Sequence, residues 1–205
     1  MACRRIDRRF KYRAVRLLLS IVRSSVIGYG LLFGMSLALA AWQGRLVSLF
    51  TLSAWPRTGT NVLIGVLIAV AVLSGSRAMR GTFQWARQLE DEFRFLLAPL
   101  DFGGILILAV ASGIAEETFF RGIMQPVFGL WVTSIVFGLL HFPMNRRLIP
   151  WTISAIAMGF VFGLVYQSTE SLLAVALGHG LINFFELRHV IQSAGPPTPP
   201  STPNV

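Results

Sequence analysis

Charge is scarce in this sequence. Only 13% of its 205 residues are Asp, Glu, Lys or Arg, where an ordinary soluble domain carries about a quarter. Acidic groups are the scarcer kind, nine against 18 basic ones. A single cysteine, Cys3, excludes an internal disulfide and a paired-thiolate metal site. Histidine occurs three times and never as HExxH, so the usual one-helix zinc signature is missing. No serine has nucleophile context either, since Ser112 and Ser134 lack flanking motif residues. What is abundant is hydrocarbon: 54% hydrophobic residues and a mean hydropathy of +0.66. This predicts an all-α, polytopic membrane helix bundle with about six transmembrane helices plus an amphipathic surface helix, and no separate soluble domain. The net charge of +9 could suggest nucleic acid. The basic residues flank apolar runs, however, which is the pattern of membrane orientation. The expected partner is the lipid bilayer, not nucleic acid.

Four regions are expected along the chain. Residues 1–24 form a basic N-terminal segment, with Arg4, Arg5, Arg8, Arg9, Lys11, Arg13, Arg16 and Arg23 against Asp7. It leads into a retained first helix rather than a cleaved signal peptide. Residues 25–99 hold two spans, about 25–43 and Asn61–Ser76, and then a surface helix at 77–98. In that helix Arg77, Arg80, Arg87 and Arg94 mix with Glu90, Asp91, Glu92 and four aromatics. Gly30 and Gly34 sit at GxxxG spacing, and Trp42 and Trp55 suit an interface belt. Residues 100–190 form a four-helix core with spans at about Leu100–Phe120, Val127–His141, Leu148–Tyr166 and Leu172–Leu187. Gly122, Gln125 and Pro126 should break the chain between the first two. Residues 191–205 are a Pro-rich tail that cannot pack. The arginines fall on alternate sides of successive spans. This places both termini in the cytoplasm, in an integral, multi-pass protein.

Ionisable groups inside hydrocarbon-length segments mark a functional site by default. Glu117 and Arg121 are i and i+4 on one helix, acid first, the favourable order for a pair. Glu116 points about 100° away and is left without that arginine. Phe137 and His141 share a second helix face, with Gly138 leaving room for a neighbour. His179 and Asn183 share a third, with Gly178 and Gly180 on either side of the histidine. Glu186 near that face reads as headgroup-level charge. Two chemistries fit this set. Glu116 and His141 could activate a water while His179 and Asn183 donate to a developing oxyanion. Alternatively, Glu116, His141 and His179 could hold a divalent metal such as zinc. The residue types and their spacing do not choose between them.

Glu116-Glu117-x-x-x-Arg121, Phe137-x-x-x-His141 and His179-x-x-x-Asn183, in this order, resemble the three motifs of the CPBP (CAAX protease and bacteriocin-processing, Abi) intramembrane proteases. The resemblance covers about 100–190. It implies a glutamate-dependent endopeptidase, similar to CAAX prenyl protease 2, that cleaves a membrane-associated substrate near its C-terminus. It implies catalytic roles for Glu116, His141, His179 and Asn183, with Glu117, Arg121 and Phe137 in support. A metal requirement does not follow from it.

Straight helices create one conflict. They set Glu116 and His141 about 10–15 Å apart in depth, too far to share a water. The third span is therefore expected to be tilted, or broken near Gly103-Gly104 or Gly113, unless its boundaries lie elsewhere. Two other classes of function use the same groups. A proton-coupled carrier predicts a path open to both sides. A non-catalytic scaffold or immunity protein predicts an effect that survives Glu116→Gln.

Overall fold

The computed structural model describes residues 2–50, 56–97, 100–142 and 146–192, with side chains described from residue 18 onward except at 48 and 147. The basic side chains before Arg23, together with Trp55, Pro143, Asn145 and the tail beyond 192, lie outside what is described. Among the described residues every regular element is helical: α1 (Ala2–Trp42), α2 (Leu46–Phe50), α3 (Arg57–Thr82), α4 (Gln84–Leu97), α5 (Phe102–Glu117), a π-helical turn (Thr118–Met124), α6 (Gln125–Leu140), a 3-10 turn (Arg146–Leu148), α7 (Ile149–Thr169) and α8 (Leu172–Gln192).

Four segments are long and apolar enough to cross a membrane: Leu18–Trp42, Arg57–Thr82, Phe102–Leu140 and Ile149–Thr169. They turn Leu31, Leu63, Leu67 and Val70 outward, as lipid contact requires. The chain is an integral membrane protein. The polar residues that keep α8 out of this set also explain its place. It packs against α5, α3, α7 and α4 and buries Val175, Gly178, His179 and Ile182 among them. A helix surrounded by protein can carry histidine and asparagine because partners, not lipid, meet them.

The expected break between the third and fourth spans is elsewhere. Helix continues through Gly122, Gln125 and Pro126, and Gly103, Gly104 and Gly113 lie inside regular α5. Two departures replace the expected one. Pro126 has no N–H and crowds the carbonyl four residues back. The chain accommodates it by widening into the π turn, where the Gln125 N–H bonds to the Phe120 carbonyl. Then Gly129 takes φ +75° and ψ 173°, a conformation open to glycine alone at low cost. The chain reverses there. Arg121 bonds to the Gly159 carbonyl and Gln125 to the Gly163 carbonyl, so this arm runs parallel to α7. Beyond Gly129 the register descends, with Ser134 against Gly159 and Gly138 against Ile156. The segment Phe102–Leu140 is therefore a hairpin: α6 returns along α7, while α5 packs on α8 and α1 and meets α7 mainly through the π turn.

Glycine sets two of the close approaches. A side chain at Gly113 would lie 2.8 Å from the Ala176 carbonyl on α8, and one at Gly138 would lie 2.7 Å from the Ile156 amide on α7. Gly30 and Gly34 meet nothing within 4 Å, so their GxxxG spacing builds no contact within this chain.

The surface helix is present at 84–97, and an ion network fastens it. Arg80 on α3 bonds to Glu186 on α8 at 2.7 Å and approaches Glu90 on α4 at 3.5 Å. Arg94 pairs with Glu90 and Asp91 and reaches the Val190 carbonyl. Glu186 is thus tied to a cation at the α8 end. Phe83, Trp85, Phe95 and Leu96 stay exposed, an amphipathic arrangement suited to a membrane surface.

Candidate active site

Residues of α5 and the π turn divide onto two faces one helical step apart. Ser112, Glu116 and Phe120 follow one another at i+4 on the first. Gly113, Glu117, Arg121 and Gln125 do so on the second. All of these except Gln125, at 5% exposure, and Glu116, at 7%, are nearly inaccessible; Glu117 and Arg121 are fully buried.

The second face is an ion pair built into the protein. Arg121 Nη1 lies 3.2 Å from Glu117 Oε1 and 3.1 Å from Oε2. Its Nη2 donates to the Gly159 carbonyl at 2.9 Å, and its guanidinium lies over the Phe137 ring at 4.6 Å. His179 Nδ1 meets Glu117 Oε1 at 2.7 Å. The carboxylate is held by Arg121 and accepts, so Nδ1 is the donor and the imidazole orientation is fixed from behind. Phe162 stacks on the other side of that ring at 5.3 Å and 15°.

The first face opens on a cavity of about 300 Å³ lined by Tyr29, Leu32, Glu116, Phe119, Phe120, Leu140 and His141. That is room for several waters at about 30 Å³ each. Glu116 Oε2 lies 3.6 Å from His141 Nε2, well inside the roughly 8 Å beyond which no single water could touch both. The hairpin removes the depth conflict. Gly129 lies 13 residues beyond Glu116 and 12 before His141, so two arms of nearly equal length return to the same level at ~1.5 Å per residue. His141 Nδ1 is 2.6 Å from the Phe137 carbonyl. A carbonyl can only accept, so Nδ1 carries a proton there. In the neutral ring Nε2 then presents its lone pair to Glu116. Oε2 is buried and makes no hydrogen bond among the described residues. Two acceptors therefore face each other across a gap that one donor molecule can bridge. Thr152 donates to the His141 carbonyl and Trp151 meets its ring edge-on at 5.3 Å, which holds the helix end in place.

The structure does not gather every expected residue around this cavity. Glu116 and His141 line it. His179 lies behind, separated by Phe137, whose ring is 4.6 Å from His141 and 6.1 Å from His179. Asn183 points its amide at Ser112 Oγ, 2.8 Å away, and Tyr29 from α1 lines the cavity beside Glu116. Among the described residues no three His, Cys, Asp or Glu side chains cluster as a metal site. The trio Glu116, His141 and His179 does not fit a zinc ion in this arrangement, because His179 does not line the cavity that Glu116 and His141 share and packs its ring against Phe162 and Phe137. Tyr29 and Ser112 were missed from sequence. The available signals were weak: a tyrosine inside the first apolar run, and a serine four residues before Glu116.

Comparison with known proteins bears on this geometry. Residues 98–185 match the family model described as type II CAAX prenyl endopeptidase Rce1-like. This part of the chain is similar to that family. The match agrees with the CPBP resemblance carried by the three motifs, and it contains Glu116, Glu117, Arg121, Phe137, His141, His179 and Asn183. A curated relative, the uncharacterized protein YpbD of Bacillus subtilis, is 32% identical over 124 residues. The alignment covers 58% of this chain and 63% of YpbD, so the chain spans less than two thirds of that relative. No solved structure matches the chain. Tyr29 on α1 lies outside the Rce1-like segment.

Proposed function

We propose that the protein is a glutamate-dependent intramembrane endopeptidase that hydrolyses a peptide bond near the C-terminus of a membrane-associated substrate. One observation carries the reading: Glu116 Oε2 and His141 Nε2 face each other at 3.6 Å on a buried cavity. A water bonded to both sits roughly 2 Å off the line between them. It donates one proton toward each acceptor and turns its oxygen lone pairs toward the cavity. As that oxygen attacks the scissile carbonyl, Glu116 takes a proton, and it returns one to the leaving amine. Buried acceptors supply the attack geometry with little reorganisation.

Glu117, Arg121 and Phe137 are assigned support. The ion pair neutralises the second carboxylate, and Phe137 sits between both imidazoles. His179 and Asn183 keep their expected place in the site. Each spends one group on a neighbour, His179 Nδ1 on Glu117 and an Asn183 amide proton on Ser112. The second amide proton of Asn183 is left for the developing oxyanion, and His179 can donate to it through Nε2 only as imidazolium, with both ring nitrogens protonated. The membrane is that of a bacterium, and both termini face the cytoplasm. The Arg80, Arg94 and Arg188 end of the bundle favours that orientation.

The test compares the C-termini of membrane proteins in cells carrying the chain or its Glu116→Gln variant, by mass spectrometry. C-termini that lose their trimming in the variant are the expected result, because an amide cannot accept the proton. Trimming retained with Glu116→Gln overturns the proposal.

A further inference from the structure

We propose that Trp151, braced by Phe93 of the surface helix, is a positioning residue for His141: it fixes the plane of the imidazole and so the aim of Nε2 at Glu116. The inference rests on the protease reading above and assigns one more residue to it. His141 caps the C-terminal end of α6, and its side chain is 20% exposed. Its Nδ1 donates to the Phe137 carbonyl at 2.6 Å, but one hydrogen bond fixes one ring atom and not the ring plane. Phe137, whose ring lies 4.6 Å away, belongs to the same end of α6 and moves with the histidine. Trp151 is on α7. Its ring meets the imidazole at 5.3 Å and 84°, the edge-to-face arrangement that aromatic pairs favour, and the adjacent Thr152 donates to the His141 carbonyl at 3.2 Å. α7 also holds the Glu116 side of the site, because Arg121 of the π turn donates to the Gly159 carbonyl, about two turns beyond Trp151. One helix is thus the common reference for both sides of the 3.6 Å gap between Glu116 and His141. Trp151 has its own backing. Phe93 on α4 meets it edge-to-face at 5.1 Å and 85°, and the next residue, Arg94, pairs with Glu90 and Asp91 and reaches the Val190 carbonyl on α8. A column of rings therefore runs from the surface helix to the site: Phe93, Trp151, His141. Phe93 precedes the segment that the family model matches, so the brace adds an element from outside it.

The test uses the full chain in lipid discs, with its histidine ring nitrogens isotope-labelled for NMR. The chain has three histidines, so the spectrum is simple, and His141→Asn assigns the signal. At about pH 8, above the ordinary imidazole range, wild-type His141 should show one fixed tautomer with its proton on Nδ1. Trp151→Leu should give the averaged shifts of a ring that exchanges both tautomers. Phe93→Leu should move part of the way to that average, and Trp151→Phe should restore the wild-type pattern. Trp131→Leu is the control and should change nothing at His141, since Trp131 is an exposed residue packed on Phe160. The His179 signal, held by Glu117, should persist in every variant and reports that the bundle is intact. On a quenched fluorescent peptide bearing an S-farnesyl cysteine four residues from its end, Trp151→Leu should lower kcat about tenfold with KM unchanged, the weight of one aromatic contact. A His141 tautomer still fixed in Trp151→Leu overturns the proposal whatever the peptide shows. So does an averaged ring with an unchanged kcat. Loss of the His141 and His179 patterns together also overturns it, because Trp151 would then serve the fold and not the ring. An unchanged His141 signal in Phe93→Leu overturns the part assigned to the surface helix. A wild-type chain inert on the peptide, with the tautomer averaged only in the expected variants, counts against the protease reading and leaves the hold of Trp151 on His141 standing.

Discussion

Replacing Arg121 with Met tests whether Glu117 is a structural anion. The exchange keeps the length and apolar bulk of the side chain and removes its charge. Three contacts go with it: the 3.1–3.2 Å pair with Glu117, the 2.9 Å bond to the Gly159 carbonyl, and the cation over Phe137 at 4.6 Å. Both partners are fully buried. What remains is a carboxylate with no cation and a carbonyl short of a donor. Breaking a buried pair from one side costs about 3–5 kcal/mol, most of it the stranded charge. Removing both charges should cost less than removing one. The cycle is therefore Arg121→Met, Glu117→Gln and the double variant, followed by reversible unfolding in mixed micelles. Arg121→Met alone should be the least stable, and the double variant should recover about 1–3 kcal/mol as coupling. Additive losses, or an Arg121→Met variant within about 0.5 kcal/mol of wild type, would refute the view that the second carboxylate exists to be neutralised.

The other expectations are shorter. His141→Asn should lower cleavage at least about 100-fold with the melting temperature held within a few degrees, since the ring is 20% exposed and packs mainly on Phe137 and Trp151; a comparable fall in stability would make the residue structural. Gly138→Ala should destabilise by about 1–3 kcal/mol, because its methyl group would meet Ile156 backbone at 2.7–2.8 Å. Gly180→Ala, whose methyl group would sit at an ordinary 3.4 Å from the Ala109 carbonyl, should cost under about 1 kcal/mol; thermal unfolding of the pair in one detergent decides the order. Glu186→Gln should cost about 1 kcal/mol at low salt and less at high salt, with kcat unchanged, because its partner Arg80 belongs to the α3–α4–α8 network and not to the cavity; melting at two salt concentrations reads it.

The division between Glu116 and Glu117 was legible from spacing alone. An i, i+4 acid–base pair and a 100° step are local facts, and the structure places Glu117 against Arg121 and Glu116 on another face. The amphipathic helix at 84–97 was equally legible, because its charges and aromatics alternate at helical period. The hairpin was not. Gly122, Gln125 and Pro126 carry stronger break signals than Gly129, yet proline in the first turn of a new helix costs little and the π turn takes up the strain. The neighbours that His179 and Asn183 meet were not legible for a related reason. Periodicity puts His179 and Asn183 on one face, but it does not say which side chain of the facing helix each will meet. Here His179 meets Glu117 and Asn183 meets Ser112. Tyr29 was illegible because nothing in the first span ties it to a motif 80 residues later.

Placing two carboxylates side by side in hydrocarbon makes sense only if they are treated differently. An isolated anion in an apolar medium is costly, and two adjacent ones would repel. Arg121 settles the account for Glu117 alone, since its guanidinium is consumed by that carboxylate, by Gly159 and by the aromatic faces of Phe137 and Phe162. Glu116 is left to an imidazole and the cavity that both line. A group so placed can change its proton inventory without unpairing a cation. The neutralised neighbour meanwhile fixes the helix that carries it against α7 and α8. The rigid half of the Glu-Glu pair thus sets the position of the reactive half, and the hairpin at Gly129 delivers the histidine to meet it.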